Sequence, residues 1–221
     1  MTTDVLIQIG VLLFTLGIFY AMYSLPRRAF ARIRLKARSN NQAQQHFIMG
    51  AQLLTRARSA RSKSSSFKLA KAAAAAADEA LVLDPKDPAA YILKAVALDL
   101  MGHKAAALKL MDTALSQPAV RELPDRERGE ALYKRAEMQV ALNRRRRVAS
   151  AVADLEQAVK LSPDNAGAFC LLGRCYEAEG RKDDAQRCFE GALRIEPESA
   201  EAREGLGRVR GTPVTFSGLD F

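Results

Sequence analysis

The stretch FCLLGRCYEAEGRKDDAQRCFEGALRIEP, residues 169–197, decides the fold. Phe169, Leu172, Gly173 and Tyr176 fall at i, i+3, i+4 and i+7, which is one face of a helix. Gly180 interrupts the pattern, and Ala185, Phe189 and Ala192 resume it at i, i+4 and i+7 as the apolar face of a second helix. Gly173 lets the second helix approach closely, and Pro197 stops it from continuing. The unit is therefore helix, turn, helix, with each apolar face covering the other.

Working outward, the same ending recurs. Ala80 to Pro85, Ala158 to Pro163 and Ala192 to Pro197 all read alanine, apolar, any residue, apolar, polar, proline, and Pro163 and Pro197 are 34 residues apart. Residues 88 to 118 repeat the scheme with Tyr91, Ala95, Leu98, a turn at Gly102, then Ala107, Met111 and Ala114. Residues 130 to 163 follow with Tyr133, Ala136, Val140, Ala151, Leu155 and Ala158, and two extra residues in a turn that holds Asn143 and Arg144 to Arg147. Residues 43 to 85 read as a degenerate first repeat: a helix around His46 to Leu54, a connection over Thr55 to Ser66, and a helix over Phe67 to Leu83 packing through Ala73, Ala77 and Ala80.

These motifs resemble the tetratricopeptide repeat, whose aromatic, Leu-Gly, Tyr, Ala, aromatic, Ala and Pro signature matches Phe169, Leu172, Gly173, Tyr176, Ala185, Phe189, Ala192 and Pro197. The resemblance implies an all-α, right-handed superhelical stack of helix-turn-helix repeats, an α-solenoid. It divides the domain 43–210 into repeats at 43–87, 88–121, 130–164 and 166–199 and a polar capping helix at 199–210, with a tail at 211–221.

Ahead of the repeats, after a short N-terminus at 1–4, Val5 to Leu25 carry no charge. As a helix they reach roughly 31 Å at about 1.5 Å per residue, enough to cross a bilayer. A juxtamembrane segment at 26–42 follows, with Arg27, Arg28, Arg32, Arg34, Lys36 and Arg38, a basic set that suits a membrane surface. The positive-inside rule then predicts a single-pass protein, anchored in lipid through residues 5–25, with its repeats facing the cytosol. The endoplasmic reticulum is the first expectation and an organelle outer membrane the second.

The formal net charge of +9 is local in origin, because no Asp or Glu occurs between Asp4 and Asp78. Arg144 to Arg147 and the run Arg56, Arg58, Arg61, Lys63 lack interleaved aromatics, which argues against nucleic acid as a partner. Ser59, Ser62 and Ser64 to Ser66 read as a solvated loop that phosphorylation could neutralise. Cys170, Cys175 and Cys188 fit a reduced domain, with Cys175 and Cys188 at small, buried offsets of the repeat, and Cys170-x₄-Cys175 is a poor zinc pattern. No catalytic constellation, metal site or cofactor motif is present in the sequence. The expectation is a protein that is not an enzyme.

Members of the resembled family hold extended peptides in a concave groove built from first helices. Carried over, that face comprises Ile92, Leu93, Val96, Asp99 and Leu100, then Lys134, Arg135 and Met138, then Cys170, Leu171 and Arg174. Apolar residues at one end and three cations at the other suit a peptide with a hydrophobic stretch and an acidic group. The family's set for acidic chaperone tails falls here on Phe47, Ala51, Leu93 and Ala131, with Arg135 alone matching, so that partner class is not expected. The reading is a membrane-anchored scaffold or adaptor for partner proteins. The alternative is a constitutive subunit of a membrane protein complex.

Overall fold

The computed structural model describes residues 41–142 and 148–211. The expected anchor 5–25, the basic residues Arg27, Arg28, Arg32, Arg34, Lys36 and Arg38, the linker Asn143 to Arg147 and the tail 212–221 lie outside the described residues. No described helix is long and apolar enough to cross a membrane. The single-pass, cytosol-facing location expected from the sequence is corrected on that finding. The longest described helix, 21 residues and rich in alanine, is broken up by Lys68, Lys71, Asp78 and Glu79.

Among the described residues the structure is helical, without strands: α1 (41–59), α2 (Lys63–Leu83), α3 (Pro88–Leu100), α4 (Lys104–Ala114), a 3₁₀ turn (Ala119–Glu122), α5 (Asp125–Leu142), α6 (Val148–Leu161), α7 (Ala166–Ala178), α8 (Lys182–Ile195) and α9 (Ala200–Arg210). From α2 onward each helix packs on the next in chain order, which is the arrangement of an α-solenoid. Alanine makes the stack close: Ala73, Ala77, Ala95, Ala107, Ala136, Ala151, Ala158, Ala185 and Ala192 are fully buried. On α1, a Cβ at Gly50 would stand 2.8 Å from the Leu93 side chain, so the missing side chain sets how near α1 lies to α3.

The recurrent endings have a common geometry. The N–H of Asp84, Ser162 and Glu196 donates to Ala80, Ala158 and Ala192 respectively, each at 2.8 Å, closing α2, α6 and α8 in one register before the proline. Two residues beyond each proline stands the cap of the next helix. Asp87 Oδ1 accepts from the Ala89 N–H at 2.9 Å, Asn165 Oδ1 from Ala168 at 3.0 Å and Ser199 Oγ from Ala202 at 3.4 Å. Proline forbids continuation and the capping side chain starts the next helix, which keeps this connection short. The opposite turns use Gly102 (φ 87°) and Gly180 (φ 77°), a left-handed conformation that other residues enter only with strain.

Two boundaries differ from the sequence reading. The supposed connection Thr55 to Ser66 is mostly helix: α1 runs to 59 and α2 begins at Lys63. Ala57, 1% exposed, holds the last turns of α1 on the core, and Ser59 Oγ donates back to the Thr55 and Arg56 carbonyls instead of breaking the helix. In the third repeat α5 starts at Asp125, with Asp125 and Glu127 in its first turn, where acidic groups complement the helix dipole.

Candidate partner-binding groove

The first helices of three successive repeats, α1, α3 and α5, line a groove of about 330 Å³. Leu54, Leu93, Val96 and Ala131 form a buried floor. Phe47, Ile92 and Tyr133 stand above it, partly exposed, and Arg58, Glu127, Glu130 and Lys134 edge it, with Asn165 entering from the start of α7. Phe47, Leu54 and Arg58 share one side of α1 at i, i+7 and i+11, as Ala89, Ile92, Leu93 and Val96 do on α3.

The polar groups of the α5 wall are mutually engaged. Lys134 Nζ lies 2.6 Å from Glu137 Oε2 and 4.8 Å from the centre of the Tyr133 ring. The Tyr133 hydroxyl donates to Glu137 Oε1 at 2.8 Å. Burial, and then the bond to Glu137, push the Tyr133 phenol above its ordinary range, so it stays a proton donor.

The residues carried over from the repeat pattern separate into three places. Ile92, Leu93, Val96 and Lys134 line the groove. Asp99, Met138, Leu171 and Arg174 line an adjoining, more polar hollow of about 530 Å³, where Asp99 pairs with Lys104 at 3.2 Å and Arg174 with Glu201 at 2.9 Å. Arg135 lies in neither. It borders a depression with Leu115, Gln117 and Leu161, and its Nε and Nη2 fork onto Asp154 Oδ2 and Oδ1 at 2.7 and 2.6 Å, with Nη1 on Asp112 at 3.3 Å. The three cations expected to receive an acidic group therefore already have carboxylates of the chain itself. Arg58, Glu127 and Glu130 also line the groove and were not singled out from the repeat offsets, while Phe47 and Tyr133 entered the sequence reading in other roles, at a chaperone-tail offset and as the aromatic of the third repeat. For Arg58 the sequence signal was a basic residue that falls in register with Phe47 once α1 is continued to its end.

Among the described residues no group of three His, Cys, Asp or Glu is placed to hold a metal ion. The three cysteines are buried in the core, and burial, helped by Asp184, pushes the Cys188 thiol up to about 11.

The comparisons with known proteins agree with the fold. Residues 142–209 match the tetratricopeptide repeat family. The match spans the second helix of the third repeat, the whole of the fourth, where the signature is most complete, and the capping helix, and it supports the tetratricopeptide reading there. Among solved structures, a MamA protein is 18% identical with a TM-score of 0.59, covering 77% of this chain and 81% of its own. YrrB, described as a TPR protein with an unusual peptide-binding site, is 23% identical with a TM-score of 0.55, covering 72% of this chain and 75% of its own. TTC0263, a thermophilic TPR protein of Thermus thermophilus, is 24% identical with a TM-score of 0.54, covering 76% of this chain and 80% of its own. At these identities the likeness is one of fold. No curated protein matches the chain.

Proposed function

We propose that the chain is a protein-interaction scaffold that holds an apolar segment of a partner protein in the α1, α3, α5 groove. The observation that carries this reading is the groove itself: a buried apolar floor, with Phe47 and Ile92 left partly open above it, lying where three first helices run side by side. The peptide-binding site named for YrrB, on the same fold, supports it. Selection of displayed random peptides on the purified chain and on Ile92→Glu tests it. The expected outcome is enrichment of apolar sequences that bind the natural chain and fail to bind Ile92→Glu, while the helical circular dichroism of the variant is unchanged. Equal enrichment on both would assign binding to another surface.

A second reading, permanent assembly into a larger particle, is favoured by a different observation. Ile48, Met49 and Phe67 are 47%, 48% and 44% exposed on the first helix pair, and Val82 is 75% exposed at the end of α2. Size analysis after gentle extraction separates the two readings, since a subunit stays in one stable large particle on dilution and an adaptor exchanges.

A further inference from the structure

The corner where α1 meets α2 carries Arg56, Arg58, Arg61 and Lys63, all exposed, and no Asp or Glu lies anywhere from residue 41 to 77. Elsewhere in the described residues the cations that line the groove or the adjoining hollow have partners: Lys104 with Asp99, Lys134 with Glu137 and Arg174 with Glu201. Among the described residues no ion pair is made by the four cations of the corner. Folding accounts for only half of them. Arg56 and Arg58 lie in the last turn of α1, where a cation complements the helix dipole. Arg61 and Lys63 lie at the start of α2, the positive end of that helix, and its first turn holds no acidic residue. Positive charge placed there works against the helix.

Arg58 joins this corner to the groove, because it also lines the groove wall. Glu127 and Glu130 line the same groove from the start of α5, and no ion pair joins them to Arg58. The site thus has an apolar floor, a cationic exit over the α1–α2 corner and acidic groups on its other wall.

The geometry points to a directional docking site whose partner is a peptide with an apolar core followed by an acidic flank, the core lying on Leu54, Leu93 and Val96 and the flank running out over Arg58, Arg61 and Lys63. This rests on the groove reading above and adds to it the chemistry of the partner. The corner supplies what the sequence reading sought in Lys134, Arg135 and Arg174: cations whose charge is not already met by a carboxylate of the chain. A flank of Lys or Arg meets those three like charges, so the surface discriminates by repulsion as well as attraction.

The test uses the full-length chain and three fluorescein-labelled peptides that share one Leu- and Val-rich core and carry four Glu, four Gln or four Lys after it, read by fluorescence anisotropy. The Glu-flanked peptide is expected to bind about tenfold tighter than the Gln-flanked one at low salt, the combined effect of three exposed charge contacts. That advantage shrinks toward unity near half-molar salt, because the charges are solvent-exposed. In Arg61→Glu with Lys63→Glu the advantage is lost and binding of the Gln-flanked peptide is kept. Equal affinity for all three flanks, or a Glu-flank advantage that persists in the charge-reversed variant, overturns the proposal while leaving the groove reading standing. Failure of every peptide, whatever its flank, overturns the groove reading and this one together. An oligonucleotide of uridines that binds the natural chain and not the charge-reversed one, with no flank preference among the peptides, assigns the corner to nucleic acid and overturns it as well.

Discussion

Lys134 and Arg135 are neighbours on α5 with the same formal charge, and the structure gives them unlike tasks. The Arg135 side chain is 21% exposed and forks onto Asp154, whose side chain is 9% exposed and also accepts from Gln139 Nε2 at 3.1 Å. Asp154 on α6 thereby ties α5 to its partner helix, and Asp112 adds α4. Removing one member of such a pair leaves the other charge buried, so Arg135→Gln is expected to cost about 3 kcal/mol in urea unfolding. Lys134→Gln breaks a solvent-accessible i,i+3 pair and a contact with the Tyr133 ring and is expected to cost about 1 kcal/mol. Equal costs would show that the Arg135 fork is not a structural tie. Charge reversal at both positions together thus tests stability as much as binding, which is why the groove test above uses Ile92. Cys188 gives a prediction in pH. Its thiol is raised to about 11 from 9.0 by burial, so the folded chain keeps a proton that the unfolded chain loses first. The contribution is fully present below the unfolded value and falls away between about 9 and 11. Stability measured by urea unfolding across that window is expected to decline less steeply in Cys188→Ala than in the natural chain, and parallel curves would contradict the burial of the neutral thiol.

At the scale of the helix pair, what could be read in the sequence followed the chemistry of termination. Pro85, Pro163 and Pro197 marked where α2, α6 and α8 end, and Gly102 and Gly180 marked the turns, because proline and left-handed glycine act locally whatever the tertiary context. The start of α5 was less legible: the stretch after Pro118 holds a 3₁₀ turn and no repeat spacing, and the first turn of α5 is set by acidic residues that look like loop composition. The α1–α2 corner misled for a related reason. Ser and Arg in alternation read as a solvated connection, yet Leu54 and Ala57 are buried and carry α1 through it. The Arg58 wall of the groove was hidden with it, since offsets along α3 and α5 name their own faces but not the side of α1 that lies beside them. The caps two residues past each proline were a further local signal. Asn165→Ala removes the bond to the Ala168 N–H and is expected to cost about 1 kcal/mol, visible as a lower urea midpoint with unchanged slope. Gly at the same position should cost only a few tenths, and an equal loss would place the effect in the groove-lining role of Asn165 instead of the cap.

Over the whole molecule, repeats that touch only their neighbours make stability a property of position along the stack. The C-terminal end is closed by α9. Gly205 lies against Phe189, where any Cβ would collide with the ring, and Arg208 forks onto Glu177 of α7 at 2.9 and 3.1 Å. Ala202 joins Ala166, Cys170 and Ala192 in a small cluster beneath the cap. Phe189 is fully buried, with α9 packed against α7 and α8 on the side of Gly205. Ending the chain at Ser199 therefore exposes the ring and this cluster together, and native-state hydrogen exchange read by mass spectrometry reports how far the damage travels. Amides of α7 and α8 are expected to exchange at least about tenfold faster, those of α5 and α6 by less, and those of α2 and α3 at the rate of the full chain, because each interface attenuates the loss. The groove lies on α1, α3 and α5, so binding of a groove peptide is expected to survive the truncation. A uniform rise in exchange from α1 to α8 would mean that the stack unfolds as one cooperative unit, and loss of peptide binding with it would make the cap part of what holds the groove open.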